Sequence, residues 1–168
     1  YNPGGKLTVT FPKTVGQIPF NFPSKPNAQW ENEKSRVNGA LYYFGHGLSY
    51  TNFTYSNLQI SPHQQTNGGK ISIALDVKNT GSRAGTEIVQ LYTRDLVSSV
   101  TTYEKNLRGF ERVELKPGET KSVTFVLSAP DLALLDRNMR FVVEPGTFRV
   151  MIGSSSQDIR LTGDFEIR

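Results

Sequence analysis

Apolar and polar residues alternate with a period of two in segment after segment from about residue 57 onward, and turn chemistry bounds each segment. Leu58 and Ile60 open the series. Between Lys70 and Asn79, Ile71, Ile73, Leu75 and Val77 oppose Ser72, Asp76 and Lys78, which predicts a strand with one buried and one wet face. Ile88, Val89, Leu91 and Tyr92 predict a more deeply buried strand. Phe110 is out of parity with Val113 and Leu115, so a bulge is expected beside Gly109. Val123, Phe125 and Leu127 form the next alternating set, then Phe148, Val150 and Ile152, and finally Ile159, Leu161, Phe165 and Ile167.

The connections agree with this reading. Lys116-Pro117-Gly118-Glu119 and Glu144-Pro145-Gly146-Thr147 place Pro and Gly at the two central positions of a type II turn. Only Pro130–Asp136, preceded by Ser128 or Ala129, reads as helical, for one or two turns. An all-β fold follows: an immunoglobulin-like antiparallel β-sandwich of about seven strands. The Cys-Trp-Cys pattern of true immunoglobulin domains is absent, which favours the fibronectin type III-like variant.

Residues 1–56 are different. Pro at 3, 12, 19, 23 and 26 leaves only Leu7–Phe11 alternating like a strand. Such a segment builds no core of its own, so Phe11, Ile18, Phe20, Phe22, Trp30, Leu41, Tyr42, Tyr43 and Phe44 need another surface to cover. The expected organisation is an irregular, Pro-rich connector over 1–56 and a sandwich over 57–168.

Composition narrows the function. The 168 residues carry 19 Lys+Arg and 15 Asp+Glu. The excess sits mostly in residues 1–56, with 5 basic against 2 acidic groups, while 57–168 hold 14 against 13. No basic stripe exists to follow a phosphate backbone, which argues against nucleic acid as a partner. The chain has no cysteine, so disulfides, thiolate metal sites and a Cys nucleophile are excluded. No apolar run approaches the roughly 18 residues of a membrane-spanning helix, and no membrane partner is expected. A first residue of Tyr1 rather than Met suggests a piece of something longer.

Several motifs occur in a fixed order: Phe44-Gly45-His46-Gly47-Leu48-Ser49-Tyr50-Thr51, Val77-Lys78-Asn79-Thr80-Gly81, Gly85-Thr86-Glu87-Ile88-Val89-Gln90-Leu91-Tyr92, and Leu107-Arg108-Gly109-Phe110-Glu111-Arg112-Val113. Val143-Glu144-Pro145-Gly146 and Val150-Met151-Ile152-Gly153 close the series, and Asn2-Pro3-Gly4-Gly5-Lys6-Leu7 with Thr10-Phe11-Pro12 precedes it. Together these resemble the C-terminal region of family 3 glycoside hydrolases of the β-glucosidase type. The resemblance implies that residues 1–56 include the tail of a preceding α/β sandwich domain. It also implies a parent enzyme that hydrolyses β-linked glucosides or xylosides with retention, using an Asp and a Glu that would both precede Tyr1. An extracytoplasmic location, periplasmic or secreted, is implied as well.

No catalytic residue carries over to this chain. Retaining hydrolysis needs two carboxyls about 5 to 5.5 Å apart across a bound sugar. Glu87, Glu104, Glu111, Glu114, Asp131 and Asp136 fall on strand faces and turns, where a solvated surface is the expectation. His46 lies between two glycines without a ligand-spaced partner, so no metal and no cofactor is expected. Trp30 is the candidate sugar-binding residue, because an aromatic face suits the apolar face of a pyranose; Tyr42, Tyr43, Tyr92 and Tyr103 are weaker ones. The long loop Asp95–Asn106 is expected to pack on a neighbouring domain. The expected role is a non-catalytic one, supporting the upstream catalytic domains as partners. The alternatives are a carbohydrate-binding module that takes oligosaccharide, and a general protein-interaction domain.

Overall fold

The computed structural model describes residues 2–26, 39–66 and 68–168. Two short strands, β1 (Phe11–Pro12) and β2 (Ala40–Tyr42), pair with each other, and a single 3-10 turn, Val15–Gln17, follows β1. Then come β3 (Phe53–Ser61), β4 (Gln64–Gln65), β5 (Ile71–Asn79), β6 (Gly85–Asp95), β7 (Asn106–Leu115) and β8 (Thr120–Leu127). A short α1 (Ala129–Leu132) leads to β9 (Leu134–Leu135), β10 (Phe141–Val142), β11 (Gly146–Gly153) and β12 (Ile159–Ile167). The order in one sheet is β4-β12-β11-β6-β7 and in the other β3-β5-β8. The seven long strands pair antiparallel throughout, and β4 joins β12 in parallel.

The alternating residues meet between the sheets. Ile71, Ile73, Leu75 and Val77 of β5 join Val89 and Leu91 of β6, Phe148, Val150 and Ile152 of β11, and Phe125 and Leu127 of β8 in one core. Phe148 stacks on Phe165 with centroids 5.6 Å apart. The all-β sandwich of about seven strands is thus the observed fold.

Local chemistry explains where the strands depart from the sequence pattern. The strand expected at Leu58 begins at Phe53, because a bulge between Ser56 and Gln59, with Asn57 at a φ of 56°, breaks the alternation that would have revealed it. In β7 the register slips at Arg108, beside Gly109: Leu91 faces Gly109 but Tyr92 faces Leu107. Beyond that slip the alternation is unbroken, so Phe110 simply points away from the core while Val113 and Leu115 point in.

The helix ends at Leu132, short of Asp136. Ser128 donates its N–H and its hydroxyl to Asp131 Oδ2 at 2.8 and 2.7 Å, which starts the turn. Ala133 then turns extended, and Asp136 accepts the N–H groups of Asn138 and Arg140, closing a β9–β10 hairpin instead. Pro117-Gly118 makes the expected tight turn, with Glu119 N–H on Lys116 O at 3.0 Å and Gly118 at a φ of 75°. At Pro145-Gly146 the chain only bends, since Gly146 already pairs with Ile167 in β11. Of the alternating stretch Leu7–Phe11, only Phe11 enters a strand.

Residues of the first segment cover the outer face of the larger sheet, the face turned from the sandwich core. Phe22 stacks on Phe44 at 4.4 Å and meets Tyr92 edge-on at 5.7 Å. Tyr92 is fully buried and donates its hydroxyl to Gln90, whose amide donates in turn to Gly45 O at 3.2 Å and Ser154 O at 2.7 Å. A side chain at Gly45 would collide with Gln90, and its φ of 81° favours glycine independently. Leu7 and Gly45 to His46 exchange backbone hydrogen bonds of 2.8 Å, so the chain near residue 7 is tied to the chain near residue 45.

Asn79 locks the opposite corner. Its side-chain oxygen accepts from Thr51 Oγ1 at 2.7 Å and Gly81 N–H at 3.0 Å, and its amide donates to Arg83 O and Leu115 O at 2.7 and 3.1 Å. All four capacities of a fully buried amide are therefore used, joining β5 to β7 and to the chain entering β3. Asn79→Ala is expected to cost about 2 to 4 kcal/mol, because the abandoned partners stay buried. Urea unfolding followed by circular dichroism measures it; a loss under about 0.5 kcal/mol would refute the assignment.

Candidate functional site

An apolar groove of about 770 Å³ lies between the N-terminal segment and the outer face of β6 and β7. Leu7, Phe44, Tyr50, Ile88, Leu107 and Phe110 line it. The register creates it: Phe110 lies opposite Gln90 in the β6–β7 pair, on the face that the segment covers at Tyr92 but leaves open here. Phe110 is 65% exposed, Tyr50 69% and neighbouring Leu48 74%. Three large apolar side chains this exposed beside a groove mark a surface built for contact.

A polar cavity of about 380 Å³ adjoins it, sharing Pro3 to Lys6 in its wall. Lys6 Nζ lies 3.0 Å from Glu87 Oε1, with 16% and 6% of the two side chains exposed. Glu87 is thus buried, which corrects the expectation of a solvated carboxylate. It projects from the core face of β6 at the sandwich rim, and Lys6 reaches in to neutralise it. Gly47 permits that approach, since a side chain there would sit 2.5 Å from Gly5 O and 2.7 Å from Lys6 Cδ.

Around this pair, Arg160 lies over the Tyr55 ring at 4.8 Å, donates to Phe53 O at 2.6 Å and pairs with Asp158 at 2.8 Å. Burial pushes the Tyr55 phenol well above its usual range, and the charge of Glu87 adds to it, although its hydroxyl makes no well-formed hydrogen bond. Burial acts against the ionised form of Asp158, but hydrogen bonds from Arg160 and Ser154 outweigh it and hold the carboxyl below its ordinary value.

The other singled-out residues have structural surroundings. Trp30 lies outside the described residues. Tyr92 is buried under Phe22, so it offers no face to a sugar, and Tyr42 stacks on His46 at 5.0 Å. Tyr103 is 41% exposed. Glu114 pairs with Arg112 at 2.7 Å on the exposed side of β7, Asp131 caps α1, and Asp136 shapes the β9–β10 hairpin. Among the described residues no three His, Cys, Asp or Glu side chains gather to hold a metal. The groove itself was missed in the sequence, although the parity of Phe110 carried its signal.

Lys6→Met strands Glu87 as a buried charge and is expected to lose about 3 to 5 kcal/mol of stability. Adding Glu87→Leu restores most of it. Denaturant titration of the two variants checks this; an equally unstable double variant would contradict the pairing.

A fibronectin type III-like domain matches residues 87–156. The chain is 40% identical to a periplasmic β-glucosidase of Salmonella typhimurium, over 99% of this chain and 23% of that protein. It is 42% identical to a β-xylosidase of Formosa agariphila, over 93% of this chain and 22% of that one. The solved structure of a β-glucosidase from Erythrobacter marinus superposes with a TM-score of 0.93 at 38% identity, over 99% of this chain and 22% of that one. The chain therefore spans between a fifth and a quarter of the length of these relatives, and it corresponds to their C-terminal part.

Proposed function

Because this chain belongs to the family 3 glycoside hydrolases as their C-terminal, fibronectin type III-like region, we propose that it is a non-catalytic support for the upstream part of a longer enzyme. That upstream part carries the hydrolysis of β-linked glucosides or xylosides, in keeping with the β-glucosidase and β-xylosidase names of its relatives, with the retention that the family resemblance implies. The observation that carries the reading is the open apolar groove at Phe110, Tyr50 and Leu107. Its lining comes from the segment that leads in from the upstream side and from β7, so a preceding domain is delivered directly onto it. In this reading residues 1–56 are the connector and the tail of a preceding α/β domain, and 57–168 the sandwich. A periplasmic or secreted location fits the periplasmic relative.

Burying Phe110 and Tyr50 under a preceding domain removes about 2 to 3 kcal/mol of apolar exposure per ring. Phe110→Asp is therefore expected to lower the Tm of the full-length enzyme by at least about 4 °C and to leave the Tm of this chain alone within about 1 °C. Calorimetry on both forms decides it. An unchanged full-length Tm would overturn the support role.

A further inference from the structure

The paired strands β1 and β2 carry an apolar surface of their own, outside the groove. Phe11 lies opposite Tyr42 in their register, and the two rings meet edge to face at 6.4 Å. The 3-10 turn Val15–Gln17 that follows β1 is pinned through Gln17, which accepts the N–H groups of Lys13 and Thr14 at 2.7 and 3.2 Å and donates its amide to Gly39 O at 3.0 Å. Tyr42 stacks on His46, so this ribbon is fastened to the stretch from Phe44 to His46 that helps to cover the larger sheet. Its shape is therefore set before anything docks on it.

Six large apolar side chains of this small unit are exposed: Val9, Phe11, Val15, Ile18, Leu41 and Tyr42, with Val15 at 83% and Ile18 at 66%. Two strands of two and three residues do not hold together in water by themselves, and an exposed apolar cluster of this size marks a contact surface. It continues the groove, because Leu7 and Thr8 form part of the groove wall and Val9 follows them directly. Two observations select what covers it. Residues 2–26 and 39–56 hold Lys6, Lys13 and Lys25 and no Asp or Glu, so two copies of this face meeting across a twofold axis would set like charge against like. The chain spans 23% and 22% of its β-glucosidase and β-xylosidase relatives, in their C-terminal part, so the bulk of a parent of that kind leads into this segment.

We propose that the β1–β2 ribbon with its 3-10 turn is a second docking face for the upstream domain, separate from the groove at Phe110. The N-terminal segment is then a middle layer: Phe22 and Phe44 face the sandwich through Tyr92, and Val15, Ile18 and Leu41 face the upstream domain. This placement rests on the reading that an upstream domain packs on this chain, and it extends that reading by fixing how far the domain reaches, past the groove and over the ribbon. It also gives Gln17 a task, since the three hydrogen bonds it makes hold Val15 and Ile18 in place on the exposed side.

The test is thiol alkylation by iodoacetamide, read peptide by peptide by mass spectrometry, in this chain and in the full-length enzyme. Val15→Cys and Ile18→Cys place a thiol on the ribbon, Phe110→Cys places one at the groove, and Val126→Cys serves as reference on the outer face of β8. All four positions are exposed in this chain, so the replacements remove no core packing. Alkylation at Val15→Cys and Ile18→Cys is expected to be at least about tenfold slower in the full-length enzyme than in this chain, and at Val126→Cys to agree within about twofold. Protection at Phe110→Cys with none at Val15→Cys and Ile18→Cys would overturn the second face and leave the groove reading standing, whereas the reverse pattern would support the second face and refute the groove. Slow alkylation at both ribbon positions in this chain alone would also overturn the proposal, because the face would then be covered from within. So would protection in the full-length enzyme that vanishes on dilution by about a hundredfold, which assigns the face to a second copy.

Discussion

Buried side chains on both faces of one sheet organise this molecule. An antiparallel sheet in a sandwich ordinarily turns its second face to water. Here Gln90, Tyr92 and Met151 are buried on that second face, while Val89, Leu91 and Ile152 fill the core on the first. A fully buried tyrosine and glutamine on an outer face need both cover and hydrogen bonds. Phe22 and Phe44 provide the cover, and Gly45 and Ser154 provide the acceptors. The described residues ahead of β3 are thus part of the same packing unit as the strands, although few of them lie in regular secondary structure. The Lys6–Glu87 pair, buried at the rim, makes the same attachment electrostatically.

The cover is incomplete, and the proposed support of an upstream domain acts at its edge. Moving from Tyr92 toward the start of β6, the outer face passes from the cover of Phe22 to an open groove at Ile88 and Phe110. The N-terminal segment forms the opposite wall of that groove, so whatever precedes it in a longer polypeptide arrives beside the gap. Support of an upstream domain and closure of the sandwich are then two parts of one apolar surface. The loop after β6 stands apart from this arrangement, braced by polar contacts rather than by packing.

The sandwich was legible in the sequence because period-two alternation reports burial directly, as in Ile71 to Val77 and Val123 to Leu127. It failed where geometry breaks the period: Asn57 hides the start of β3, and Asp136 diverts an apparent helix into a hairpin. The resemblance placed the chain in its family, and the order of motifs did this better than any single residue could. Sites were less legible. Glu87 reads as an ordinary strand carboxylate until Lys6, far away in sequence, is seen beside it, and Tyr92 reads as a possible sugar platform until Phe22 covers it. Phe110 carried a usable signal, an aromatic residue on the wrong parity, whose meaning depends on knowing which part of the outer face is already covered.

Hydrogen exchange, followed residue by residue in this chain alone and in the full-length enzyme, tests the account at its centre. The account predicts that amides near Gly45 are equally protected in both, since their cover lies within this chain. It also predicts that amides at Tyr50 and along Leu107–Arg112 gain at least about tenfold protection in the full-length enzyme, where the groove is filled. Equal exchange at Leu107–Arg112 in the two forms would contradict it.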